Sequence, residues 1–414
     1  MLFTMTNKTF FYTILVVLIG QLNFAQTNNL SSSPYSIYGL GASNEINPGK
    51  TNALGKTGIA MPFDNSINNL NPAAFSNIPE NGFYFDIGVK AEKETLFEDG
   101  KEEARFNANF SNMAIAFPIT KKSGVGITLI PFTNVGYVVL GVETEIDGST
   151  DTFISNIDGS GGLNDIKLNY GYSINKNLRL GVSGSFLWGK ITENETDLIE
   201  ENLLFISEEN YYNGFRLGAG FQYIIKDMFS FGSIINFPTK LKGEQTVLVA
   251  VNNSATINIE DDLDAFKLPL EVGFGTHFKL NENLFFNIDY RRNFWDATNQ
   301  SDLIGDYVDQ DFFGIGTEFI PKKNGFKYWE RINYRAGFNF DNGNLAINNN
   351  RVNNFALNIG VGLPLKSGGN SLLNFGYSYG QKGQVNNGLI KENYHLVTFN
   401  FSLAGKWFEK RYID

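Results

Sequence analysis

From residue 82 to the C-terminus the chain alternates apolar and polar residues at a period of two, segment after segment. In "LFFNIDYR", residues 284–291, Leu284, Phe286, Ile288 and Tyr290 share one face, and Phe285, Asn287, Asp289 and Arg291 share the other. In "RINYRAGFNF" the apolar face is Ile332, Tyr334, Ala336, Phe338 and Phe340, opposite Arg331, Asn333, Arg335, Gly337 and Asn339. "VTFNFSL" sets Val397, Phe399, Phe401 and Leu403 against Thr398, Asn400 and Ser402. Strands of this kind suit a sandwich, with the polar face in bulk water. They suit equally a membrane barrel, with the apolar face in lipid and the polar face lining a lumen.

The connections separate the two. The pattern predicts fourteen strands near 83–92, 104–118, 123–141, 165–174, 178–192, 211–225, 228–250, 266–279, 284–295, 312–320, 328–341, 354–364, 372–383 and 392–406. Their links alternate between short ones ("TKKSG", "NKN", "KDM", "NEN", "PKKNG", "KSGGN") and long ones. A sandwich has no reason to sort its links by length. An outer-membrane barrel does, with short turns on the periplasmic side and long loops outside. The expected fold is therefore all-β: a 14-stranded antiparallel transmembrane barrel over 82–408, both termini periplasmic, with a short tail at 409–414.

Composition agrees. Glycine (43), phenylalanine (38) and tyrosine (18) are abundant in the 414 residues, which favours pleated surfaces and tight turns. The net charge of −10 gathers in the long links: "EKETLFEDGKEE", "ENETDLIEEN", "IEDDLDAF" and five Asp between 296 and 311. Lys121, Lys122, Lys176, Lys226, Lys322, Lys323 and Lys366 mark the short turns. No basic stripe offers itself to nucleic acid. "EDDLD" lacks the Gly and terminal Glu of an EF-hand loop and reads as a solvated loop, not a metal site.

At the N-terminus Lys8 precedes the apolar run 10–20, "FFYTILVVLIG", followed by "QLNFAQ" with Ala25 at a cleavage position. The run is too short to span a bilayer and reads as a signal peptide, 1–25. Cysteine is absent, which excludes disulfides, thiolate metal sites, Cys nucleophiles and lipid attachment through an N-terminal Cys. Enzymatic chemistry would normally call on His. His277 and His395 are the two present, on strands that put them at opposite membrane faces. Neither an active site nor a cofactor is expected.

Two irregularities break the alternation. Apolar parity shifts between Phe106, Ala108, Phe110 and Met113, Ile115, Phe117, which one extra residue near Ser111–Asn112 would repair as a β-bulge. Pro131 sits in the middle of the next strand, where it cannot donate to a ladder. It implies either a lateral gap in the wall or a bulge that leaves the wall sealed.

Ahead of the strands, within the extension and plug region 26–81, lies "NALGKTGIAMPFDNSINNLNPAAF". This segment resembles the N-terminal plug of the long-chain fatty-acid transporter (FadL-type) family of outer-membrane barrels. Leu54, Gly55, Gly58 and Ala60 match its Gly-rich part, Asp64 its polar link, and Asn71, Pro72 and Ala73 its Asn-Pro-Ala. Fourteen strands, and Pro131 in the third, also agree with that family. "SSPYSIYGLG" at 32–41 is not part of its pattern.

The resemblance implies passive uptake of hydrophobic small molecules such as long-chain fatty acids, with lateral exit at the Pro131 kink. Lumen candidates for binding a ligand are Arg331, Arg335, Asn333, Arg291, Asp289, Arg216 and Gln222; an Arg pair at 331 and 335 would hold a carboxylate. The alternative is a non-transporting barrel, a subunit or docking platform of a larger secretion or assembly machine. Expected partners are outer-membrane lipids and lipopolysaccharide, a hydrophobic ligand, and envelope proteins.

Overall fold

The computed structural model describes residues 31–406 except 32, 65, 99, 146–151, 200–201, 227, 253, 302–304, 366–369 and 386–387. The signal peptide and the C-terminal tail expected from sequence lie outside these residues.

A two-residue strand, β1 (Ala42–Ser43), precedes the barrel. The wall begins with β2 (Gly82–Glu98) and β3 (Lys101–Thr120), and its third strand is broken into β4 (Ser123–Pro131) and β5 (Thr133–Glu145). Next come β6 (Thr152–Ser173), β7 (Leu178–Ile199) and β8 (Asn202–Ile225). The seventh and eighth strands are also broken, into β9 (Phe229–Asn236) and β10 (Thr239–Val251), then β11 (Ser254–Leu268) and β12 (Glu271–Asn281). Pro238 and Pro269 stand in these breaks, where a missing N–H is tolerated. The wall continues with β13 (Leu284–Asn293), passes the short β14 (Asp306–Tyr307), and resumes at β15 (Gln310–Phe319) and β16 (Asn333–Asp341). After β17 (Leu345–Ile347) and β18 (Asn350–Arg351) it ends with β19 (Asn354–Pro364), β20 (Leu372–Lys382) and β21 (Lys391–Lys406). All neighbours are antiparallel, and β2 pairs with β21 from Gly82↔Lys406 to Phe97↔Lys391, closing a barrel of fourteen strands. β14, β17 and β18 form a small separate sheet.

The period-two pattern has the meaning expected of it. Asn287 and Asp289 are buried while Ile288 and Tyr290 face out, and Thr398, Asn400 and Ser402 are buried between outward Val397 and Leu403. Val182, Phe215, Leu217, Leu357 and Ile359 are each more than half exposed, an apolar belt that water would penalise and lipid satisfies. The parity shift in β3 is a bulge: Gly88 pairs with Asn112 and Val89 with Phe110, so Ser111 is the extra residue. At the seam Asp86 accepts hydrogen bonds from Asn112 (2.6 Å), Asn400 (2.8 Å) and Ser402, tying β2, β3 and β21 together from inside.

Several sequence expectations need correction, and the acidic links expected at 92–103 and 193–202 lie largely within β2, β3, β7 and β8. The strand expected over 328–341 starts at Asn333; Tyr328–Arg331 is a 3-10 turn, closed by the Glu330 side chain accepting from Lys327 N–H at 3.3 Å. The acidic run "IEDDLDAF", expected as a loop, belongs to β11. Charge had argued against a strand, but here the backbone pairs with β10 while most side chains stay in water.

Beyond the level where β13 ends, β5, β6, β7, β8, β10 and β11 continue as an open six-stranded sheet at the long-loop end. Its two edges are β5 and β11.

Candidate functional site: the plugged lumen

Residues 49–78 fill the short-turn half of the lumen. They carry little regular structure, only the 3-10 turns Thr51–Leu54 and Pro72–Asn77, so their backbone groups must find partners elsewhere. The wall supplies many of them. Asp289 Oδ2 accepts from Gly58 N–H (2.6 Å) and Ile59 N–H (2.9 Å). Gln222 Nε2 donates to Ile59 O (3.0 Å) and Met61 O (3.1 Å), and Ser230 Oγ donates to Ala60 O (2.9 Å). Asn71 Oδ1 caps the second turn by accepting from Ala73 N–H (2.9 Å), while its Nδ2 donates to Ile59 O (2.8 Å) and Phe221 O (3.0 Å). Pro72 follows at the first position of that turn, where no N–H is needed.

Close approach is possible because the wall is lined with glycine where the plug touches it. A Cβ on Gly337 would lie 2.1 Å from Gly55 N, one on Gly220 2.1 Å from Asn71 Oδ1, and one on Gly181 2.3 Å from Ala73 N. Gly55 itself has φ +64 and seats against the carbonyls of Ile315 and Phe338.

An ion network fixes the plug's first turn. Glu318, on β15, accepts from Lys50 Nζ at 3.0 Å and from Arg335 Nε at 2.5 Å, and Lys50 also reaches Asp64 at 2.6 Å. Lys50, Glu318 and Arg335 are all fully buried or nearly so. Burial pulls the Lys50 ammonium toward neutrality, but Asp64 and Glu318 outweigh it and its pKa is raised.

The long-loop half is occupied by residues 33–47, which include most of the stretch 32–41 that lies outside the family pattern. The ladder between β3 and the third strand runs from Met113↔Leu129 to Thr120↔Ser123 and goes no further. Among the described residues, β5 has no partner on the β3 side except β1, through Ala42↔Asn134 and Ser43↔Thr133. Thus Pro131 marks an interrupted wall, and this segment is stitched onto the free edge. Ser36 Oγ accepts from Gly136 N–H (3.1 Å), Asn44 N–H donates to Phe132 O (3.0 Å), and Asn44 Nδ2 donates to Pro131 O (2.8 Å). Leu40 is 4% exposed, in a cluster with Phe266, Trp295 and Tyr307; the Trp295 and Tyr307 rings stack at 4.9 Å. The described chain thus begins in the long-loop half, whereas Lys406 ends at the short-turn side expected for both termini.

Between this segment and the wall lies a cavity of about 190 Å³. Lys56, Lys90 and Lys382 line it together with Glu45, Glu92, Glu94, Asp341 and Glu392. A cavity for an apolar ligand carries few polar groups; this one is predominantly polar.

The ligand candidates read from sequence are not brought together. Asp289 and Gln222 hold the plug, and Arg335 is engaged by Glu318 and Asn374 (2.7 Å). Arg216 donates to the carbonyls of Phe237 (3.1 Å) and Pro269 (2.8 Å), bracing two wall breaks. Arg291 lies over the Phe312 ring at 3.9 Å, and Asn333 opens β16 opposite Gly362. Arg331 sits in the 3-10 turn, 5.6 Å from the Tyr328 ring centre, so it does not share a lumen stripe with Arg335. Glu318, Lys50 and the lumen-facing glycines escaped the sequence analysis. The recurring glycines within strands, as in "GVGITL" and "LGAGFQ", were the signal available.

Fold and lumen together define an integral outer-membrane β-barrel with the architecture of the FadL-like channels for hydrophobic compounds. The P. putida toluene transporter TodX shares it at a TM-score of 0.61 and 14% identity, over 89% of this chain and 100% of that one. The Ralstonia pickettii toluene transporter TbuX matches at 0.59 and 15%, over 87% and 98%, and a Pseudomonas aeruginosa FadL homologue at 0.60 and 13%, over 89% and 100%. TodX and TbuX are toluene transporters. No curated protein matches the chain. The BamG family profile matches residues 5–414, and the chain belongs to the BamG family.

Proposed function

We propose that this protein is a closed outer-membrane barrel that acts as a subunit or docking platform of a larger envelope assembly, with its short turns in the periplasm. The observation that carries this reading is the segment 33–47. It is hydrogen-bonded along the free edge of β5, and its Leu40 occupies the aromatic cluster of the upper lumen. With the plug below, the lumen is occupied from one half to the other. What distinguishes the surface is the open six-stranded sheet beyond the barrel, which carries acidic residues such as Glu195, Glu208, Glu260 and Asp262.

A second reading is favoured by the interrupted β3–β5 ladder. In it the barrel passes hydrophobic small molecules such as long-chain fatty acids, which leave sideways at Pro131 once the segment withdraws. Both readings meet one experiment: purification in mild detergent of protein tagged at its own chromosomal locus, with mass spectrometry of proteins and lipids. A fixed set of envelope proteins in constant ratio is expected. A lone barrel carrying fatty acid would overturn the first reading in favour of the second.

A further inference from the structure

We infer that the outer edge of β11, over residues 257–263, is a docking edge for an extended segment of a partner protein in which basic and apolar residues alternate. The inference rests on the reading of the barrel as a partner-holding subunit and names where and how it would hold one.

β11 pairs with β10 on one side and, among the described residues, with no strand on the other. The next wall strand, β13, ends its ladder at Asn293 opposite Glu271 and does not rise beside β11. Between register breaks the β10–β11 ladder runs unbroken, 243–249 against 257–263, so the free edge is regular over seven residues. Residues 257–262 are all exposed. A regular strand edge presents backbone donors and acceptors that water or another strand must satisfy. Natural edges are commonly blunted by charged side chains, Lys above all, or by Pro; "SATINIEDDLDAF", 254–266, has neither Lys nor Pro, and its charges are all carboxylates, which discourage like edges and leave a basic strand admissible.

Side chains then select the occupant. One face of the edge carries Ile257 and Ile259, 52% and 50% exposed, with Asp261 and Leu263 beyond them, and the other carries Asn258, Glu260 and Asp262. A second copy of this chain, paired antiparallel, would set carboxylates against carboxylates, which disfavours it. An anionic lipid surface is repelled for the same reason. A strand alternating Lys or Arg with Val or Ile complements both faces at once while adding its backbone to the ladder.

The test uses a fluorescein-labelled decapeptide of alternating Lys and Val, with the full-length protein in detergent and anisotropy as the readout. Two further peptides carry N-methyl groups on one or the other alternate set of residues. One of them must lose its ladder donors. Glu260→Lys/Asp262→Lys is expected to weaken binding by about tenfold or more, and one methylated peptide is expected to fail. Unheated gel mobility checks that the variant barrel is folded, as exposed positions predict. The inference is overturned if the parent peptide does not bind, if the variant binds it equally, or if both methylated peptides bind as the parent does. Repeating the native purification with the variant separates the two levels. Partners unchanged in the variant sink the edge and leave the subunit reading standing; a wild-type barrel recovered alone sinks that reading, whatever the peptide does.

Discussion

Replacing Glu318 by Gln tests whether the plug is locked electrostatically. The substitution keeps volume but removes the one carboxylate between Lys50 and Arg335, whose side chains are 3% and 0% exposed. Lys50 keeps Asp64 at 2.6 Å, while Arg335 is left with the neutral Asn374 at 2.7 Å. Breaking a buried pair by removing one partner costs about 3–5 kcal/mol, because the other charge stays desolvated. The rest of the grip does not vanish: Leu54, Ile59, Met61 and Phe75 remain buried, each contributing about 1.5–3 kcal/mol. The plug should therefore stay docked on average and open more often. At 1.4 kcal/mol per decade, amide exchange across 47–62 should accelerate by about two to four decades, with the strands unaffected. The double variant Glu318→Gln/Arg335→Met, which removes the stranded cation, should recover much of the protection. Exchange within threefold of wild type in the single variant, or no recovery in the double, would refute the lock.

Gly337→Ala pushes a methyl to 2.1 Å from Gly55 N and should destabilise plug docking by about 1–3 kcal/mol, read by the same exchange measurement. Gly405→Ala, with nothing nearer than 3.9 Å, should be silent. Asn71→Ala removes a cap and two donor contacts and should cost about 2–3 kcal/mol of plug stability, seen as faster proteolysis within 50–78. Asp86→Ala strands the donors of Asn112, Asn400 and Ser402 at the seam and should lower the temperature at which the barrel loses its compact gel mobility; an unchanged transition would count against the seam network.

The barrel was legible because lipid and lumen impose opposite demands on successive residues. Ile288 and Tyr290 face out and Asn287 and Asp289 face in, and no loop requires that order. Where both faces of a strand meet water the demand disappears, and so does the signal. Hence β11 hid inside an acidic run, and the extramembrane reach of β6, β7 and β8 went unread. Arg331 misled for a different reason. The parity of β16 continues backward through Ile332, but Glu330 closes a turn on Lys327 before the strand begins. The plug was visible as a motif, yet its grip was not. Asp289 meets Gly58 across 231 positions of sequence, and nothing local to "NIDYRR" says that its carboxylate is reserved for two backbone amides.

That reservation bears on function. A polar residue in a barrel lumen looks like a ligand site only while its partner is unknown. Asp289, Gln222 and Arg335 each commit one side of their polar head to the plug or its ion network, while Asp289 Oδ1, Gln222 Oε1, Arg335 Nη2 and the Arg291 guanidinium keep buried polar atoms without a hydrogen-bond partner among the described residues. Above these groups the apolar cluster of Phe266, Trp295 and Tyr307 is occupied by Leu40 of the chain's own segment. Passage would require that segment to surrender its bonds to Pro131, Phe132 and Gly136 and leave Leu40 exposed. At about 1 kcal/mol per bond and roughly 2 for the leucine, that barrier is several kcal/mol. A partner that bound the displaced segment would have to repay it. On the proposed reading this makes closure the resting condition of the barrel and assigns opening to a partner that binds the displaced segment.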